Sequence, residues 1–167
     1  MASHRLWYFE IELSCIRALG AFNLVLNILI DTSFFLLSIR EHIDLFTAIN
    51  TLVLQNVCFL TTPQVISELK RLESKRRKKI SKDAESALQL ANRCTLVEVK
   101  TGSGENADVS LLKASRRYSA AVATVDVQLR KMVRQNRLPI ISLRGNRLYC
   151  EPESPELWFV NPVEKHI

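Results

Sequence analysis

Short apolar runs alternate with stretches of helical period along most of this chain, and that alternation restricts the fold more than any other feature. The runs are Leu24 to Ile30, Asn56 to Leu60, Cys94 to Val99, Ala120 to Val125 and Pro139 to Leu143. Each is about as long as a strand, carries little polar interruption and reads as a strand buried on both faces. Between them lie segments with helical spacing: Ser33 to Arg40, His42 to Asn50, a helix opened by Pro63 through Glu68 to Leu72, Ser81 to Asn92, about Glu105 to Tyr118, and Asp126 to Asn136. Proline suits the first turn of a helix, because its missing N–H is unused there. Gly102-Ser103-Gly104 reads as a loop, and Arg144-Gly145-Asn146-Arg147 as a turn into a short antiparallel return, Leu148 to Cys150. Strand–helix alternation with right-handed crossovers predicts an α/β fold, a Rossmann-like parallel central sheet with helices on both faces.

The expected organisation is an N-terminal extension at 1–23, a single domain at 24–150 and a C-terminal tail at 151–167. Phe9, Leu13, Ile16 and Leu19 recur at helical spacing, so the extension is read as a short amphipathic helix. A chain of 167 residues can bury a core without staples. Cys15, Cys58, Cys94 and Cys150 form no short-spaced pair, which argues against a structural zinc and for buried thiols in a reducing, cytoplasmic setting. No secretory signal is visible, and the longest apolar stretch, Ala21 to Ile30, is interrupted by Asn23 and Asn27 and is too short to span a bilayer. Dinucleotide and P-loop chemistry are not indicated. No G-x-G-x-x-G follows the first strand, and no G-x-x-x-x-G-K-[ST] occurs.

Ligands of open parallel sheets bind beyond the carboxyl ends of the strands. Asp31 directly follows the first strand, Glu68 lies in the helix after the second, Asp108 opens the helix after the third, and Asp126 follows the fourth. Each strand thus delivers one carboxylate toward the same end. Singly, an Asp after a strand serves as a helix N-cap, and a Glu on a helix is ordinarily solvated. Four together repel one another, and a hard divalent cation such as Mg²⁺ or Mn²⁺ relieves that repulsion with oxygen ligands. Such a centre activates water and stabilises charge on phosphoryl oxygens. His4, His42 and His166 lie outside these positions and are read as incidental.

A net charge of +6 favours polyanionic partners. Lys75, Arg76, Arg77, Lys78 and Lys79, with Lys70, Arg71 and Lys82, crowd the segment past Glu68; they read as a phosphate-binding stretch or a solvated linker. Arg130, Arg134 and Arg137 follow one helical face, and no acid occurs from Val127 to Cys150, so a positive rim is expected beside the acidic pocket.

These residues resemble the motifs of PIN-domain ribonucleases. Asn27-Ile28-Leu29-Ile30-Asp31-Thr32-Ser33 resembles the opening strand of that family, and Pro63-Gln64-Val65-Ile66-Ser67-Glu68-Leu69 the motif that ends in its catalytic Glu. Asn106-Ala107-Asp108 with Leu111-Leu112 is similar to the third motif, and Ala123-Thr124-Val125-Asp126 with Leu129-Arg130 to the fourth. Pro139-Ile140-Ile141-Ser142-Leu143-Arg144 is similar to the last strand of archaeal PIN proteins and of eukaryotic PIN nucleases that process small-subunit ribosomal RNA.

The resemblance spans about residues 24–150. It implies Mg²⁺ or Mn²⁺ held by Asp31, Glu68, Asp108 and Asp126, with Thr124 supporting the site through its hydroxyl, as well as Thr32 or Ser33. It also implies hydrolysis of RNA phosphodiesters, in ribosomal RNA processing or as a VapC-type toxin held by an antitoxin. A silent scaffold binding RNA or protein is the reading from another class. A homodimer and a ribosome-assembly partner are consistent with the family; a membrane role is not expected. Val109 and Val125 stand where relatives often carry a further Asp and a polar residue, which bears on a second metal site.

Overall fold

In the computed structural model, which describes residues 25–100, 107–145, 147–155 and 158, the apolar runs form the strands of one sheet. The strands are β1 (Leu26–Ile30), β2 (Val57–Thr61), β3 (Thr95–Leu96), β4 (Ala120–Ala123), β5 (Ile140–Arg144) and β6 (Arg147–Glu151). The helices are α1 (Thr32–Arg40), α2 (Leu45–Val53), α3 (Pro63–Glu73), α4 (Lys78–Ala91), α5 (Ala107–Arg117) and α6 (Val127–Gln135). The sheet order is β3-β2-β1-β4-β5-β6. The first five strands are parallel, and β6 returns antiparallel along β5. The α/β fold expected from the sequence is therefore present.

Burial explains why β1 and β4 lie at the centre. Ile28, Leu29 and Ile30 are wholly buried although successive side chains point to opposite faces, so both faces of the sheet are covered. Each fully buried Leu or Ile contributes about 1.5–3 kcal/mol relative to exposure. Strand β4 is Ala-Ala-Val-Ala and equally buried, its small side chains allowing close approach of the covering layers.

The strands stop where the sequence supplies caps. Asp31 ends β1 in an extended conformation and its side chain accepts from Ser33 N, opening α1. Thr62 caps α3, with Pro63 in the first turn, and Asp126 caps α6. A capping side chain satisfies an otherwise orphaned N–H, so β1 and β2 turn into helices at once and β4 does so after two residues.

Several boundaries differ from those expected. Helix α2 begins at Leu45, because Asp44 caps it and His42 takes a left-handed turn conformation (φ 52°). Strand β3 is only two residues long and exposed, pairing with Leu60 and Thr61 at the sheet edge. Strand β4 ends at Ala123, leaving Thr124 and Val125 to carry the chain to Asp126. Helix α4 begins at Lys78 rather than Ser81, so much of the basic run is helical rather than linker. The expected helix at 1–23 and the Gly102-Ser103-Gly104 loop lie outside the described residues. Among the described residues no helix is long and apolar enough to cross a membrane.

Candidate active site

Asp31 is the best-anchored acid of the site. Its backbone N–H donates to Ala123 O at 3.0 Å, carrying the β1–β4 pairing one residue past the strands. Its Oδ2 accepts from Ser33 Oγ at 2.6 Å, Thr124 Oγ1 at 2.8 Å and Ser33 N at 3.3 Å. The two hydroxyls are themselves held: Ser33 Oγ accepts from Val125 N at 3.2 Å, and Thr124 Oγ1 from Asp126 N at 3.1 Å. They lie 3.1 Å apart, and because each has one proton, donating to Asp31 uses both. Burial pushes the Asp31 carboxyl above its ordinary value, against the opposing pull of these hydrogen bonds.

Glu68 reaches the same region from α3, where its Oε2 accepts from the buried Thr32 Oγ1 at 2.8 Å. Asp126 Oδ1 accepts from Gln128 N and Leu129 N at 2.7 and 2.9 Å. A common pattern emerges. In Asp31, Glu68 and Asp126 one carboxylate oxygen takes all of these anchoring bonds and the other takes none. The capping role expected of a lone Asp is real for Asp31 and Asp126, and it orients the site instead of competing with it.

Asp108 is the second residue of α5. Its carboxyl is pushed upward first by burial and then by the charges of Asp31, Asp126 and Glu68. All four acids line one cavity of about 200 Å³, together with Thr32, Ser33, Leu36 and Leu72. The sequence-predicted acids are thus brought together. Leu36 and Leu72, the apolar wall, were not singled out, although each follows a site residue (Thr32, Glu68) by four positions and so shares its helical face.

The donor set suits Mg²⁺ or Mn²⁺: carboxylate and hydroxyl oxygen, with no histidine or cysteine in the cavity lining. The mutual repulsion felt at Asp108 is what a divalent cation would relieve. As the side chains stand, no three His, Cys, Asp or Glu among the described residues are drawn close enough around one point to enclose an ion. Elsewhere, burial raises the Cys94 thiol to about 12, which makes it a packing residue rather than a nucleophile.

The predicted basic residues divide. Lys75, Arg76 and Arg77 form the turn between α3 and α4, Lys78 and Lys79 begin α4, and all five are exposed. The turn begins shortly after Leu72, which lines the cavity, and Lys75 N donates to Leu72 O at 3.2 Å. Arg130 lies one turn past Asp126. The positive rim expected along Arg130, Arg134 and Arg137, however, does not form as one surface. Arg134 is engaged by Glu151 through both carboxylate oxygens, at 2.7 and 3.0 Å. Arg137 stands beyond the helix in a left-handed turn before β5, at the end of the sheet opposite the acids.

The sequence model of a family described as "PIN like domain" matches residues 28–146, well over half the chain. Among solved structures, one described as "Structure of the PIN domain endonuclease Utp24" is similar with a TM-score of 0.63 at 23% sequence identity. The match covers 75% of this chain and 90% of that one, a likeness of fold. No curated protein sequence matches.

Proposed function

The chain belongs to the PIN-like domain family, and from that premise we propose that it is a metal-dependent endoribonuclease that hydrolyses RNA phosphodiester bonds. One observation carries the proposal. Four carboxylates from four strand-to-helix junctions line a single cavity, and burial, then the charges of the three others, push the Asp108 carboxyl upward.

Asp31, Glu68, Asp108 and Asp126 are the residues that would hold Mg²⁺ or Mn²⁺. When bound there, the ion would supply neutralisation of phosphoryl charge and a lowered pKa for water. The protein's own contribution is positioning. Ser33 and Thr124 hold Asp31 in one orientation, Thr32 holds Glu68, and the α6 N-terminus holds Asp126, so the oxygens left over are preorganised. In the reaction a water oxygen attacks phosphorus and gives up a proton to solvent or a carboxylate, while the bond to the leaving ribose oxygen breaks and that oxygen takes a proton from solvent to become a hydroxyl.

Substrate affinity is drawn from Lys75, Arg76, Arg77, Lys78 and Lys79 beside the Leu72 wall, as sequence-independent phosphate contacts. A ribosomal RNA precursor is the target suggested by the likeness of Pro139 to Arg144 to the last strand of the processing nucleases.

The test is cleavage of end-labelled RNA and matched DNA with Mn²⁺, Mg²⁺ or EDTA, for the native chain and for Asp31→Asn and Asp126→Asn. Asn preserves both caps, so these variants keep the fold. Metal-dependent cutting of RNA that both substitutions abolish is the expected result. Salt-sensitive RNA binding without cutting under any metal would replace the nuclease with a scaffold.

A further inference from the structure

The second basic surface of this protein is not the helical stripe that the sequence suggests. We propose that Arg130 and Arg144, set in place by Tyr149, form a clamp for a backbone phosphate of the RNA strand on the β5 side of Asp126. This rests on the reading of the chain as an RNA-cutting enzyme and adds to it a defined contact on the flank opposite the α3–α4 turn.

Placement comes first. Strand β5 runs parallel to β4, so its last residue, Arg144, lies at the same sheet end as Thr124 and Asp126. Arg130 is four residues past Asp126 on α6, which puts the two on one helical face. Arg137, by contrast, is at the opposite end.

The two guanidinium groups are preset around one side chain. Arg130 Nη1 donates to the Tyr149 hydroxyl at 3.2 Å, and Arg144 Cζ lies 4.9 Å from the centre of the Tyr149 ring. Cation–π stacking and a fixed hydroxyl lower the ordering cost of binding an anion.

Local charge then favours an anion at this place. Glu151 is bound by Arg134, and Arg130 and Arg144 only stand in its field. Among the described residues neither forms an ion pair, and Arg130 Nε is buried without a hydrogen-bond partner. Arg144 also sits directly across the hairpin from Arg147, a like-charge cross-strand pair that is unfavourable by itself. A phosphate accepts several guanidinium donors at once and relieves this repulsion.

The experiment is fluorescence anisotropy of a labelled single-stranded RNA over a KCl series in EDTA, with steady-state cleavage in Mg²⁺ alongside. Arg130→Gln, Arg144→Gln and the distant Arg137→Gln are compared with the native chain. The clamp predicts that Arg130→Gln and Arg144→Gln each lower the slope of log affinity against log salt by about 0.7, the value for one contact to a single strand. KM rises several-fold while kcat holds, and Arg137→Gln changes neither quantity. Arg144 is exposed, so its variant remains informative if Arg130→Gln melts early. Unchanged slopes in a folded Arg144→Gln overturn the clamp, as does an equal loss in Arg137→Gln. The two readings fail separately: lowered slopes without any cutting keep the clamp and remove the nuclease, and cutting with unchanged slopes does the reverse.

Discussion

Asp108 shows how a single residue can be set against stability. Burial and three neighbouring carboxylates raise its folded-state pKa above the unfolded value. Between those two values the folded chain holds more protons than the unfolded one, so stability falls as pH rises through that window. Above the window the cost stays constant. Asp108→Asn removes the charge and keeps the shape. In EDTA its Tm at neutral pH should exceed that of the native chain by a few degrees, and the difference should shrink toward acidic pH. On the proposed metal-dependent reading, added Mg²⁺ should reverse the order, because only the native chain keeps all four proposed ligands. A native chain that melts above Asp108→Asn in EDTA at neutral pH would show that the four acids do not repel as described. Asp31 carries the same conflict under heavier burial, moderated by the Ser33 and Thr124 hydroxyls.

At the scale of elements, the start of α4 contradicts the usual preferences. Its N-cap is Arg77, which makes no side-chain capping bond, and Lys78 and Lys79 follow where the helix dipole favours acids. Helices α1, α2, α3 and α6 are all capped by Asp or Thr. Arg77→Asp supplies both a cap and a favourable charge, and should stabilise the chain by about 1 kcal/mol in urea unfolding. The same change should weaken RNA binding and flatten its salt dependence. A variant that is no more stable, or that binds RNA as well as before, would count against a basic turn kept for phosphate contact. Strand β4 shows the opposite relation, every residue in agreement with its place: four small apolar side chains, all buried, between two long parallel neighbours.

For the whole molecule, the order β3-β2-β1-β4-β5-β6 fixes what the proposed RNA substrate would meet at the carboxyl end of the sheet. The acids converge around β1 and β4, the α3–α4 turn lies on the β2 side, and Arg144 on the β5 side. Cations on both flanks suit a strand that continues past the scissile phosphate in both directions. A covalently closed single-stranded RNA circle should therefore be cut at a rate within a few-fold of its linear form, as read on a denaturing gel. Dependence on a free end would make the enzyme an exonuclease and sink this arrangement.

The sequence by itself determined the local half of this protein. Apolar runs of strand length, a capping residue after three of them, and a carboxylate at four junctions follow from backbone sterics, helix capping and burial, all of which act within a few residues. Asp31, Glu68, Asp108 and Asp126 were legible for that reason. What only the tertiary structure decided is which distant groups meet. Thr124 reaches Asp31 across 93 residues, Thr32 reaches Glu68 across 36, and Tyr149 rather than a helical stripe organises Arg130. Arg134 and Arg137 looked equivalent to Arg130 by spacing. One is taken by a strand that follows, and the other falls past the helix end. Periodicity sets the face of a helix on which a side chain lies. What that face meets is settled by packing against elements the local sequence does not specify.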